Sequence, residues 1–203
     1  MKYTFDIDLP GSVTFYGDPL CPWTLKSYLL VKTACTDLGI KLDYKPLSLK
    51  VINKDKEIPA KIRSKLDNLY FLLRLAQYIS DRNLNNEPLR YYEITADNLV
   101  NQNTDLTISN ISSFIPEIQI PEDVLKILSD SSYLDLELQE TYESLKSVAG
   151  DDYGSPVIMF EPEHTGFFGP IIDEPDSIDA KQFFINLISL ARAKTFSEIK
   201  RKR

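Results

Sequence analysis

Apolar and polar positions divide the chain into three stretches of different periodicity. Residues 12–16, Ser-Val-Thr-Phe-Tyr, are β-prone and predict a buried strand, broken at once by Gly17-Asp18-Pro19. From about Pro22 to Leu38 the spacing turns helical, with Leu25, Leu29, Ala34 and Leu38 as expected inward positions and Gly39 as the stop. Residues 40–47 alternate apolar and polar at first, predicting a second strand ended by Pro46. A strand, a helix-length crossover and a second strand predict a βαβ unit with parallel strands.

The middle of the chain reads as all-helical, from about residue 51 to 149. Ile62, Leu66, Leu69, Tyr70, Leu73 and Ala76 recur at spacings of three and four, which predicts one helix over 60–82. Shorter helices are expected over 86–98 and 121–129, the latter opened by Pro121-Glu122-Asp123. Another is expected over 131–149, starting near Ser131 or Ser132 and stopped at Gly150. The pairs Tyr70-Phe71 and Tyr91-Tyr92 read as core. Strand character returns at Pro156–Phe160, followed by a turn over 161–166 and a hairpin closed by Phe167-Phe168. A last amphipathic helix is expected over 178–194, carrying Ile178, Phe183, Phe184, Leu187 and Leu190. The organisation is thus a βαβ half and a ββα half (residues 1–50 and 150–203) around a helical insertion (51–149).

With 203 residues, 43% of them hydrophobic and 26% charged, the chain is expected to be an ordinary globular protein with a real core. No apolar run reaches membrane-spanning length and residues 1–11 carry no apolar leader, so the expectation is a cytosolic protein. The formal charge of −7 includes a basic tail, Lys200-Arg201-Lys202-Arg203, so the rest is more acidic still. Such a surface repels phosphate backbones and argues against nucleic acid as a partner. The tail itself reads as a solvated end that favours the negative pole of the preceding helix. One histidine, His164, and two cysteines, Cys21 and Cys35, leave no cluster for zinc and no other His for a catalytic triad. His164 falls in the expected turn and reads as an exposed turn residue.

The segment Asp18-Pro19-Leu20-Cys21-Pro22-Trp23-Thr24 joins a buried strand to a helix and places Cys21 where the helix begins. Orphan amides and the helix dipole at that end stabilise an anion, so the expected thiol pKa is lowered. Thr24, three residues on, offers a hydroxyl to the thiolate. Asp18 would oppose ionisation if its carboxylate came close. The residues alone leave a second reading open, a buried cysteine acting as a small hydrophobe. Cys35 is 14 residues later, roughly 21 Å along one helix at 1.5 Å per residue, too far for a disulfide with Cys21. It reads as core, which makes the protein a monothiol.

Cys21-Pro22-Trp23 after a strand, the helical insertion, and Gly154-Ser155-Pro156-Val157 entering a strand together resemble the DsbA family of thioredoxin-fold oxidoreductases. Within it, the chain most resembles the mycothiol-dependent nitroreductase group of actinobacteria. Three further segments carry that likeness: Leu47–Asn53 with Ile58-Pro59, Gly166-Phe167-Phe168-Gly169-Pro170, and Phe196-Ser197-Glu198-Ile199-Lys200-Arg201. The resemblance implies an α/β, thioredoxin-like fold with a helical insertion. It implies that Cys21 is the nucleophile forming a mixed disulfide, with Thr24 beside it and Pro156 a cis proline facing it. It further implies that Pro22, Trp23, Asn53 and the backbone of Ser155 hold a low-molecular-weight thiol, mycothiol, with no metal and no flavin. Phe167 and Phe168 read as core.

The chain departs from that group twice. Many relatives carry a second cysteine where Thr24 stands, and relatives carry a tyrosine near Ile62. Without the second cysteine, release of a bound thiol needs another external thiol. Three functions follow. The first is a thiol-dependent oxidoreductase acting on mixed disulfides or on electrophilic or nitroaromatic small molecules. The second is a transferase or isomerase like the kappa-class glutathione transferases, in which the cofactor's own sulfur reacts. The third is a non-catalytic relative. Expected partners are the small thiol and a small-molecule or mixed-disulfide substrate, without membrane; a homodimer is one option for the assembly.

Overall fold

A computed structural model describes residues 7–82, 87–130 and 132–199. Its centre is a four-stranded sheet: β1 (Ser12–Gly17), β2 (Lys41–Pro46), β3 (Val157–Glu161) and β4 (Thr165–Phe168), in the order β2-β1-β3-β4. β1 and β2 are parallel, with Val13 opposite Leu42 and Phe15 opposite Tyr44, as the crossover predicts. β3 runs antiparallel to β1, and β4 closes the expected hairpin on β3. The hairpin needs glycine at 166, because a Cβ there would lie 2.0 Å from the carbonyl oxygen of Ile158. β1 is buried on both faces, the condition of a central strand.

The crossover is α1 (Pro22–Leu38), which packs beside α9 (Ala180–Arg192). Leu25, Tyr28, Val31 and Ala34 face the core. Leu29 does not; it is 47% exposed, on the rim of a cavity of about 280 Å³ shared with Pro175 and Ile178. The buried stripe of α1 is set by Tyr28, whose ring meets Phe15 edge-on, and this rotates Leu29 away. α9 is capped by Asp179, whose carboxylate accepts from the Gln182 amide at 2.9 Å. Replacing Asp179 with Ala is expected to cost about 1 kcal/mol, read as a lower urea midpoint with unchanged slope.

Between β2 and β3 the described residues hold only helices and connections: α2 (Leu49–Ile52), α3 (Ala60–Asn68), α4 (Tyr70–Asp81), α5 (Glu87–Val100), α6 (Ile111–Phe114), α7 (Glu122–Asp130) and α8 (Asp135–Ala149). The single helix expected over 60–82 is two, divided at Leu69 (φ −102°, ψ 8°). α3 buries only Leu66, whereas α4 buries Tyr70 to Leu73 in unbroken succession and then Leu75, Ala76 and Ile79. Four consecutive buried residues exceed the stripe of a surface helix, so the chain turns at Leu69 to sink α4 and leave α3, with Ile62, outside. The helix expected from Ser131 or Ser132 starts at Asp135. Leu134, buried and left-handed at φ 69°, makes the entry, and Arg74 grips the Asp135 carboxylate at 2.7 and 3.0 Å.

A large hydrophobic core joins the sheet to the helices, and a smaller one gathers Tyr16, Leu47, Ile52, Leu145, Tyr153 and Val157. Tyr92 of α5 packs against Phe15, Tyr28 and Tyr44, with ring centroids 4.8 Å from Tyr28 and 4.6 Å from Tyr44. Tyr91 is fully buried and donates to the Leu72 carbonyl at 2.8 Å. The tyrosine pairs are therefore core, as their spacing suggests. Phe167 is half-buried against Phe160, while Phe168 is 38% exposed and is not core. No described helix is long and apolar enough to cross a membrane. The basic tail Lys200–Arg203 and the first six residues lie outside the described residues.

Candidate active site

The junction of β1 and α1 holds Cys21 as the residue capping α1, extended at φ −93° and ψ 113°, with Pro22 in the first helical position. Proline costs nothing there, since its amide would have no partner. Pro22 is exposed, Trp23 is half-buried with the Lys26 ammonium 5.1 Å from its ring centre, and Thr24 is fully buried. The Cys21 sulfur lies 3.9 Å from the Ser155 carbonyl oxygen, a long S–H···O contact. The Ser155–Pro156 peptide bond is cis. The chain therefore brings Cys21, Thr24, Ser155 and Pro156 together from sites more than 130 residues apart.

Cys21 is only 9% exposed, and this corrects the expected electrostatics. Burial pushes the thiol above its ordinary value; the Thr24 hydroxyl and the amides of Thr24 and Trp23 pull it back, and the Asp18 carboxylate adds to the rise. The donors at the helix start are thus present, but desolvation of the thiolate outweighs them.

Asp18 organises the site more than its sequence context shows. It is fully buried. One carboxylate oxygen accepts from the Leu20 amide at 2.9 Å and the other from the Leu49 amide at 2.7 Å. Its own amide donates to the Ser155 hydroxyl at 3.0 Å. Burial raises its pKa to about 6 against the pull of those two amides and of Lys65. One residue therefore ties the cysteine loop to α2 and to the cis-proline loop. The only trace of this in the sequence is an Asp in a Gly-Asp-Pro turn, a residue suited to accept from an amide two positions on.

Ser155 is 6% exposed, and its hydroxyl also lies 2.8 Å from the Thr24 hydroxyl. The Gly-Phe-Phe-Gly-Pro segment docks on the same site: the Gly169 amide donates to the Pro156 carbonyl at 2.8 Å, and the Ser27 hydroxyl donates to the Pro170 carbonyl. The Tyr92 hydroxyl is buried with no hydrogen-bond partner, and burial first, then the nearby Tyr44, Cys21, Tyr28 and Asp18, pushes it well above the ordinary tyrosine value. Sequence reading placed Tyr92 in the core and missed this proximity, which depends on how α5 crosses the sheet.

Other expected residues fall differently. Asn53 ends α2, and its side-chain amide donates to the Leu49 carbonyl at 2.7 Å, so one Nδ2 proton serves its own helix turn, leaving the second and Oδ1 for a ligand. Cys35 is 2% exposed and pushed up to about 12 by burial; both cysteines are free. His164, at φ 51° in the β3–β4 turn, is exposed beside the Glu161 carboxylate, at the far end of β3 from Pro156. Among the described residues no group of three His, Cys, Asp or Glu is placed to hold a metal ion. Neither a cavity of about 330 Å³ around Tyr70 and Arg74 nor the one beside Leu29 is lined by Cys21.

A parallel βαβ half, an antiparallel ββα half, and a cysteine at the start of the first helix beside the cis-proline loop define a thioredoxin-like fold of the DsbA type. A solved structure, a probable DsbA oxidoreductase from Streptomyces coelicolor, shares this fold at a TM-score of 0.59 and 10% identity, over 94% of this chain and 93% of that one. The chain belongs to the Rv2466c-like family of oxidoreductases, whose model, described as mycothiol-dependent nitroreductase Rv2466c, matches residues 20–201.

Proposed function

We propose that the protein is a cytoplasmic, single-cysteine oxidoreductase that uses mycothiol to reduce mixed disulfides or electrophilic, nitroaromatic small molecules. The placement of Cys21 carries this reading: its sulfur sits at the start of α1, within reach of the Trp23 and Thr24 amides and 3.9 Å from the Ser155 carbonyl. The family's named activity supplies the thiol. Pro22 and Trp23 would border the bound thiol, the Ser155 backbone would pair with it, and Asn53 would offer Oδ1. In the disulfide reaction the Cys21 thiolate attacks a substrate disulfide. One S–S bond forms at Cys21, one breaks, and the departing thiolate takes a proton from water. A thiol then attacks the Cys21 mixed disulfide and restores the cysteine. Thr24 cannot do this internally, so each turnover consumes one external thiol, which leaves as a disulfide with the group that Cys21 held.

The protein treated with mycothiol disulfide is expected to gain one mycothiol per chain by intact mass, reversed by a reducing agent. A chain that gains none refutes the reading. The raised Cys21 thiol favours one alternative, in which the cofactor's own sulfur reacts and Cys21 only shapes its site, as in kappa-class transferases and related isomerases. In that case a Cys21→Ser variant keeps its activity.

A further inference from the structure

We infer that Ser155 is a positioning residue whose hydroxyl turns the Thr24 hydroxyl onto the Cys21 sulfur when that sulfur ionises. This rests on Cys21 being the reacting thiol, and it follows from counting protons along the contacts. The Asp18 amide can only donate, so the Ser155 hydroxyl accepts from it at 3.0 Å and still holds one proton to give. That hydroxyl is 2.8 Å from the Thr24 hydroxyl, and either can be the donor.

With Cys21 protonated, its S–H points to the Ser155 carbonyl. The sulfur then asks for no donor, and Thr24 is free to donate to Ser155. When the thiol loses its proton to a solvent base, the sulfur becomes an acceptor. Thr24 donates to it, and Ser155 donates to the oxygen Thr24 has turned. The donors then run in one direction, from the Asp18 amide through Ser155 and Thr24 to the sulfur, and each bond polarises the next. Thr24 is fully buried and Ser155 nearly so, so the two hydroxyls are shielded from bulk solvent. The other groups acting on the sulfur are the Asp18 carboxylate and the amides of Trp23 and Thr24, none of which changes direction in this exchange; the Tyr92 hydroxyl of α5 feels the charge on Cys21 and is itself held protonated.

The test is the pH profile of iodoacetamide alkylation of Cys21 in the full chain, with Cys21→Ser as the blank for Cys35. Ser155→Ala is expected to raise the apparent pKa by about half to one unit, a roughly three- to tenfold smaller thiolate fraction at neutral pH. Thr24→Val should do the same, Ser155→Ala should add nothing in the Thr24→Val background, and Ser155→Thr should restore the original profile. An unchanged profile in Ser155→Ala, or a shift that persists after Thr24→Val, overturns the proposal. Should Ser155→Ala fail to fold because it orphans the Asp18 amide, Thr24→Val decides alone, since it keeps that bond; a profile identical to the original then overturns the proposal. Alkylation of Cys21 at no pH in the unaltered chain overturns the assignment of Cys21 as nucleophile as well, which separates the two failures.

Discussion

Cys21→Ser is expected to remove the mycothiol adduct and to lower thiol-dependent turnover by roughly 10³-fold or more, the scale on which loss of a covalent nucleophile acts. No other side chain in the protein can take over. Cys35 is buried in the core and pushed up to about 12, so at neutral pH it is neither ionised nor reachable. Thr24, beside the sulfur, is an alcohol far from ionising. Serine keeps the size and the extended backbone of Cys21, and α1 draws no side-chain cap bond from that position, so the helix should stand. Circular dichroism and the urea midpoint check that it does. Steady-state turnover against mycothiol concentration gives the effect. Activity within a few-fold of the unaltered protein assigns the chemistry to the cofactor's sulfur and sinks the covalent mechanism.

The elements that position Cys21 are visible in the sequence because each has its own period. Alternation marks β2, spacings of three and four mark α1, and the Gly-Ser-Pro-Val entry marks β3. What escapes is everything that depends on how distant segments meet. The unbroken apolar spacing from Ile62 to Ala76 conceals the turn at Leu69, because a helix that bends to bury itself keeps its local pattern. Leu29 satisfies the helical spacing, yet the neighbour that would cover it stands a cavity away. The sign of the Cys21 shift is illegible for the same reason. Local context shows the amides that favour a thiolate, and the desolvation that defeats them comes from packing around the β1–α1 junction. The bond between Asp18 and Leu49, 31 residues apart, likewise exists only once α2 docks on the cysteine loop.

That bond makes Asp18→Asn the variant with the largest expected effect on stability against pH. Asp18 is fully buried, and its pKa rises from 3.8 to about 6 in the fold. Between those values the native chain holds a proton that the unfolded chain has lost. Its contribution to stability is therefore fully present below the unfolded value and declines as pH rises through the window, levelling off above about pH 7. A shift of about two units corresponds to about 3 kcal/mol. Asparagine is neutral throughout, so the stability difference between variant and parent should move in the variant's favour by about that amount from about pH 3.5 to 7.5. Only this slope is diagnostic. The amide replaces one accepting oxygen and leaves either the Leu20 or the Leu49 amide unmatched, a cost that is the same at every pH. Urea midpoints of both proteins across the range give the slope, and a flat difference means that the buried carboxylate ionises as it would in water. The same substitution removes a negative charge that holds the neighbouring thiol up, so the alkylation profile of Cys21 should shift to lower pH. The two readouts together tie the charge on Asp18 to both the stability of the cysteine loop and the reactivity it supports.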